Sequence, residues 1–106
     1  MKQETCLGHK NCGIEKTIKI ISRKWTMHIL HNLFDGKRRF MELEKTLVGI
    51  STKTLSQRLK ELEKEKIIKR IVFAEVPLHV EYSLTEKGRS LDAVFQRMAQ
   101  WGESHN

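Results

Sequence analysis

The stretch "ISTKTLSQRLKELEKEK", residues 50–66, carries the pattern that decides the fold. Leu55, Leu59 and Leu62 recur at i, i+4 and i+7, the spacing that lines one side of an α-helix with apolar side chains. Ser51 stands just before the repeat, where a hydroxyl oxygen can accept a hydrogen bond from an otherwise orphaned backbone N–H. With successive residues rotated by about 100°, Lys53, Gln57, Lys60 and Lys64 fall on the side opposite the leucines. The segment predicts a helix that buries one edge and presents a long basic, hydrogen-bonding face.

Upstream, Ile14, Ile18 and Ile21, then Trp25, Ile29 and Leu33 with Leu30 and Phe34 beside them, predict two amphipathic helices meeting near Ser22 and Arg23. Asp35-Gly36-Lys37 reads as a stop, because glycine supplies the left-handed conformation that commonly ends a helix. A short helix over Arg39–Leu47 follows, with Phe40, Leu43 and Leu47 inward, and runs into Val48-Gly49. Downstream the period changes. "IIKRIVFA" is rich in β-branched residues, and Val80, Tyr82 and Leu84 alternate with Glu81 and Ser83, so two antiparallel strands are expected. The connection falls at Glu75–His79, where Pro77 lacks the N–H a ladder needs. Thr85 can cap a last helix whose apolar face holds Leu91, Val94, Phe95, Met98 and Trp101.

This order describes a mainly α chain with a small β-hairpin, an α+β winged helix-turn-helix in a single domain, 1–106. Its expected parts are an N-terminal arm (1–12), two helices (13–35), a helix-turn-helix (39–65), a wing hairpin (67–84) and a C-terminal helix (85–103). With 106 residues, 39% of them hydrophobic, the chain suffices for one core. Twenty Lys and Arg against 13 Asp and Glu give a net charge of +7, which favours a polyanionic partner. No apolar run approaches the roughly 18 residues of a membrane span, and "MKQETCLGHK" lacks the apolar stretch of a secretory signal. A cytoplasmic protein with no membrane partner is expected.

A major groove admits one α-helix, and base edges are read from the first turns of that helix, where Thr52, Lys53, Ser56 and Gln57 stand. Gln can pair bidentately with adenine, and Lys can bond guanine. Ser51 opens the helix; Thr54 and Arg58 lie on its flank, placed either to reach phosphates or to brace it. Arg38, Arg39 and Lys60 are positioned to neutralise phosphates, which adds affinity without sequence information. Lys69 and His79 on the wing are expected at the adjacent minor groove or its backbone. From Glu61 onward, "ELEKEK" reads better as a solvated face held by i, i+4 ion pairs. No G-x-S-x-G, phosphate-binding glycine loop or metalloprotease helix is present. No cofactor or metal is therefore expected, and His28 and His31 read as surface residues. The rival classes are a protein-interaction module that keeps the fold without groove contact, and a small thiol enzyme using Cys12 and His9.

Taken together, these residues resemble the HxlR-type (MarR-like) winged-helix transcriptional regulators, from Cys12 to Gly102. The resemblance is carried by "KWT" at 24–26, "RF" at 39–40, "EL" at 42–43, "IS" at 50–51, "LSQRLKELE" at 55–63, "VEYSLTEKG" at 80–88 and "WG" at 101–102. It implies a double-stranded DNA operator as partner and a homodimer whose outer helices pair, carrying two recognition helices to successive major grooves of a near-palindromic site. By the same analogy the regulator is a repressor. The family often has glycine after the recognition helix, where this chain has Lys66. The residues point to a dimer on their own account, because the terminal helices carry more apolar surface than one small core absorbs. Ile14, Ile18, Ile20, Ile21, Phe95, Met98 and Trp101 are the expected seam; the alternative is that Ile20 and Trp101 fold back onto their own core.

Cys6, His9 and Cys12 in "CLGHKNCG" provide three ligands, one short of a structural zinc site. Cys12 precedes the first helix, whose dipole, with Lys10, Lys16 and His9, favours a thiolate. Several members of the resembled family sense oxidants or electrophiles through a cysteine at this position, some by a disulfide between subunits. The resemblance thus implies a redox-sensing role for Cys12, with Cys6 as an intrachain partner, an intersubunit partner or a bystander. The competing expectation is an inert pair of thiols.

Overall fold

The computed structural model of the chain describes residues 7–8 and 11–105. Three buried leucines set its organisation. Leu55, Leu59 and Leu62 of α4 (Thr52–Lys64) pack against Ile29, Leu30 and Leu33 of α2 (Thr26–Phe34) and against Leu43 of α3 (Phe40–Thr46). Ile67, Ile68, Tyr82 and Leu84 close the core from the sheet side. Each leucine taken out of water contributes about 1.5–3 kcal/mol, so the stripe resists rotation of α4 by roughly 5–9 kcal/mol. The side chain of Ser51 caps this helix, accepting from Thr54 N–H at 3.0 Å.

Ahead of this centre lie α1 (Gly13–Ile21) and α2, joined through Trp25, whose φ of 79° is left-handed. The helix-turn-helix is α3, the segment 47–51 and α4. Gly49 in that turn has φ +99°, a conformation open to glycine and costly for other residues. The wing is β2 (Ile68–Phe73) paired antiparallel with β3 (His79–Leu84), from Ile68↔Leu84 to Phe73↔His79. Along β3, Tyr82 and Leu84 are buried and Val80 half-buried, matching the expected alternation.

Two features depart from the sequence expectation. A third strand, β1 (Arg38–Arg39), joins β3 on its other edge through Arg38↔Tyr82 and Arg39↔Glu81, giving the sheet order β1-β3-β2. Arg39 is consequently the strand end and N-cap of α3 instead of its first helical residue, and its N–H is taken by the Glu42 carboxylate at 2.8 Å. The C-terminal helix is also divided, into α5 (Glu86–Arg89) and α6 (Leu91–Ser104).

The division follows from how α5 seats against the junction of α4 and β2. Thr85 Oγ1 donates to the Lys66 carbonyl at 2.6 Å and accepts from Gly88 N–H at 3.1 Å, while Lys87 Nζ reaches the Glu65 carbonyl at 2.9 Å. Gly88 lies so close to the Ile67 backbone that a Cβ there would stand 2.1 Å from its carbonyl oxygen. Lys66 itself turns the chain with φ 61°, the left-handed region where the resembled family often has glycine, at a cost of about 1–2 kcal/mol. Among the described residues no helix is long and apolar enough to cross a membrane.

Replacing Gly88 by Ala forces backbone to move against backbone, and a loss of about 1–3 kcal/mol in urea unfolding is expected. Gly102→Ala, where an added Cβ meets nothing within 4 Å, serves as the control and should leave stability unchanged or raise it by about 0.5–1 kcal/mol.

Candidate nucleic-acid interface

With its leucines inward, α4 turns Thr52, Lys53, Gln57 and Lys60 to solvent; Thr54 and Ser56 are half-buried at its flanks. These are the side chains expected to read a duplex, and nothing within the described residues covers them. Ser51 is committed to the cap, donating its own hydroxyl proton to Thr54 Oγ1 at 2.9 Å. Thr52 Oγ1 donates to the Glu44 carboxylate of α3. This bond between the two helices brings an acid beside the start of α4, which sequence reasoning missed because Glu44 lies eight residues upstream on another element.

Arg58 belongs to the brace. Its Nε donates to the Lys24 carbonyl at 2.8 Å and its Nη1 stands 3.4 Å from Glu61, whose carboxylate also receives Arg23 at 3.0 Å. Of the two roles open to Arg58 in the sequence, the geometry favours anchoring α4 to the α1–α2 corner. Arg38 is half-buried and folds back onto the Lys37 carbonyl at 2.9 Å, whereas Arg39 is exposed.

On the wing, Lys69 is exposed, and so is its neighbour Arg70, which the sequence reading did not single out. His79 departs from its expected place. Its ring stacks on Phe73 at 4.7 Å, with Nδ1 3.2 Å from Glu75 and Nε2 3.2 Å from Glu81, leaving the side chain 14% exposed. The Phe73↔His79 register, which sets the two rings side by side, draws the imidazole into the hairpin and away from its outer edge. Glu81 is pushed up by desolvation, but hydrogen bonds and charge from Lys37, 3.3 Å away, and from His79 hold it below the ordinary carboxylate range.

At the opposite side, α1 and α6 frame an apolar groove lined by Ile14, Thr17, Ile18, Ile21, Val94 and Met98. Ile14, Ile18, Val94 and Met98 remain 38–46% exposed, and Trp101, stacked on His105 at 4.7 Å, is 67% exposed. Val94 is thus part of this exposed apolar face. Ile20, Ile21 and Phe95 instead pack against the core, with Phe95 edge-on to Phe34 at 5.2 Å. Ile20 falls off the α1 stripe because it faces its own domain.

Cys12 is 6% exposed and disulfide-bonded, so the stabilised free thiolate expected at this helix start is not the state the structure holds. Cys6 and His9 lie outside the described residues. His28 and His31 are exposed, with His28 edge-on to Trp25 at 5.5 Å. Among the described residues no group of three or more His, Cys, Asp or Glu is arranged to hold a metal.

The HxlR-like helix-turn-helix family model matches residues 20–106. The chain is 43% identical to the HTH-type transcriptional regulator YodB of Bacillus subtilis (strain 168) over 98 residues, 92% of this chain and 88% of that protein. The reduced form of YodB superposes with a TM-score of 0.80 at 44% identity, covering 86% of this chain and 89% of that one. The redox regulator HypR in its oxidised form gives a TM-score of 0.81 at 40% identity over 90% of this chain and 98% of that one. A helix-turn-helix with an outward polar face and a wing, matched over most of its length by these regulators, places the chain in the HxlR-like helix-turn-helix family.

Proposed function

We propose that the chain is a homodimeric, sequence-specific DNA-binding transcriptional repressor acting on a near-palindromic operator. The observation that carries this reading is the uncovered face of α4, with Thr52, Lys53, Gln57 and Lys60 exposed over a buried leucine back. Such a helix enters the major groove with its first turns against base edges. Gln57 suits adenine and Lys53 suits guanine. Arg39, Lys60, Lys69 and Arg70 supply phosphate contacts, which set register and steer encounter. Arg58 and Arg38 position this surface through their protein contacts, and His79 stiffens the wing.

The α1–α6 groove supports the dimer. Its isoleucines, Val94 and Met98 form an apolar face, and Trp101 stands exposed further along α6; burial of both against a second copy would take unfavourable surface out of water. A twofold axis through that seam carries two copies of α4 to half-sites related by the same symmetry, about one helical turn of DNA apart.

Regulation through Cys12 rests on its place at the start of α1, one of the two helices of the seam, and on its disulfide-bonded state. A covalent change there acts on the seam that sets the separation of the two α4 helices. The likeness to HypR, solved in an oxidised form, supports an oxidant as the signal.

Four outcomes are expected. Gln57→Ala weakens binding to operator fragments selected from genomic DNA by about 5- to 150-fold, equivalent to about 1–3 kcal/mol. Lys60→Ala instead weakens all duplexes evenly and lowers the salt slope by about 1; unchanged operator affinity in Gln57→Ala and in the Lys53→Glu/Gln57→Ala double variant defeats the reading. Ile18→Asp combined with Met98→Asp converts the dimer to a monomer in sedimentation while keeping the helical circular dichroism spectrum. Oxidised and thiol-reduced protein differ several-fold in operator affinity, and Cys12→Ser erases the difference.

A further inference from the structure

A second charged surface lies away from the reading face. Two adjoining clefts, which share Lys19, Ile20 and Glu65, form a trough between α1 and the C-terminal ends of α4 and α5. Lys16 and Lys19 stand on its α1 wall, Arg23 follows just beyond the helix, and Lys87 of α5 closes one end. Ile20 and Leu62 supply an apolar floor. Rotation of about 100° per residue puts Lys16, Lys19 and Ile20 on the side of α1 away from Ile14, Ile18 and Ile21, so the trough stays open when that apolar face is covered.

The charge balance of the trough is positive and unsatisfied. Glu61 is already held by Arg23 and Arg58, leaving Glu65 as the one other carboxylate among the described lining residues. Neither Lys16 nor Lys19 has an ion-pair partner among the described residues. Base contacts do not account for this charge, because Gln57 and the last residue of α4, Lys64, stand seven residues apart, roughly 11 Å along the helix at about 1.5 Å per residue.

We propose that this trough docks an acidic peptide segment of another protein, one with an aliphatic residue set among its carboxylates. The proposal rests on the DNA-binding reading only in assigning the duplex to the other end of α4. Charge complementarity selects an anion. Lysine ammoniums on flexible stems act as point charges for either carboxylate or phosphate, and Arg23, which could grip a phosphate bidentately, is already engaged by Glu61; the apolar floor is what selects an anion that also carries aliphatic side chains. The half-buried Ile20, set above the buried Leu62, gives an aliphatic side chain of the peptide an apolar seat. A regulator built this way holds DNA and an acidic protein partner at once, on different elements.

The test uses a fluorescein-labelled peptide of glutamate pairs alternating with leucine, titrated into the full chain alone and into the chain saturated with a selected duplex. Saturable binding is expected in both, weakened about fivefold to tenfold in Lys16→Gln/Lys19→Gln, with duplex affinity changed less than about twofold because these lysines make no phosphate contact. The same peptide with glutamine for every glutamate should bind much more weakly. The proposal is overturned if the duplex displaces the peptide, if the lysine variant binds it unchanged, if the glutamine peptide binds equally well, or if inorganic tripolyphosphate displaces it at lower concentration than unlabelled peptide does. Loss of duplex binding by Lys53→Glu/Gln57→Ala with peptide binding retained separates the two surfaces. A chain that binds no duplex at all refutes the DNA reading alone, since the peptide titration of the free chain still decides this one.

Discussion

Burial of Leu55, Leu59 and Leu62 is the constraint from which the rest of the structure follows. A helix has only one way to hide three leucines at i, i+4 and i+7, and hiding them points Lys53, Gln57 and Lys60 outward. The polar face is therefore a consequence of core packing, with no separate device needed to present it. The surrounding contacts refine that placement: Ser51 fixes the helix start, and Arg58 with Glu61 ties its middle to the α1–α2 corner. Exposed ion pairs add little stability. Arg58 is different in being half-buried and bonded to a backbone carbonyl, so its contribution is to position the helix.

The sheet and the short α5 complete the arrangement by local economy of hydrogen bonds. Arg38 and Arg39 add a two-residue strand that gives the second edge of β3 a partner, and the Glu42 carboxylate takes the N–H of Arg39 at the start of α3. At the far end of α4, Thr85, Lys87 and the close approach of Gly88 seal the turn into β2. The wing is held by different contacts, with His79 stacked on Phe73 and flanked by two carboxylates. Its outward charges are left to Lys69 and Arg70.

The helices and the reading face were legible in the sequence because periodicity and capping are local signals. Ser51, the leucines and the alternation of Val80, Tyr82 and Leu84 all lie within a turn or a strand of the residues they govern. What was not legible depends on contacts between distant segments. Strand β1 is too short to show a period, and the break between α5 and α6 is set by an approach of Gly88 to Ile67 that spans 21 positions. Ile20 packs against a core that its own helix period does not reveal, and the place of His79 is set by its cross-strand stacking on Phe73 together with Glu75 and Glu81 nearby in sequence. Thr52 looked unencumbered until Glu44 was brought to it by the turn.

The seating of Gly88 on Ile67 bears on the geometry of the proposed dimer. The recognition helix ends on one side of that contact, and α6, 14 residues and hence about 21 Å long, departs from the other. A tilt of about 10° there swings the distal end of α6 by roughly 4 Å, close to the 3.4 Å between successive base pairs. Backbone wedged against backbone leaves little play for such a swing. In the proposed dimer, a contact buried inside one protomer and far from any base would thereby act as the protractor for the half-site spacings the pair can span.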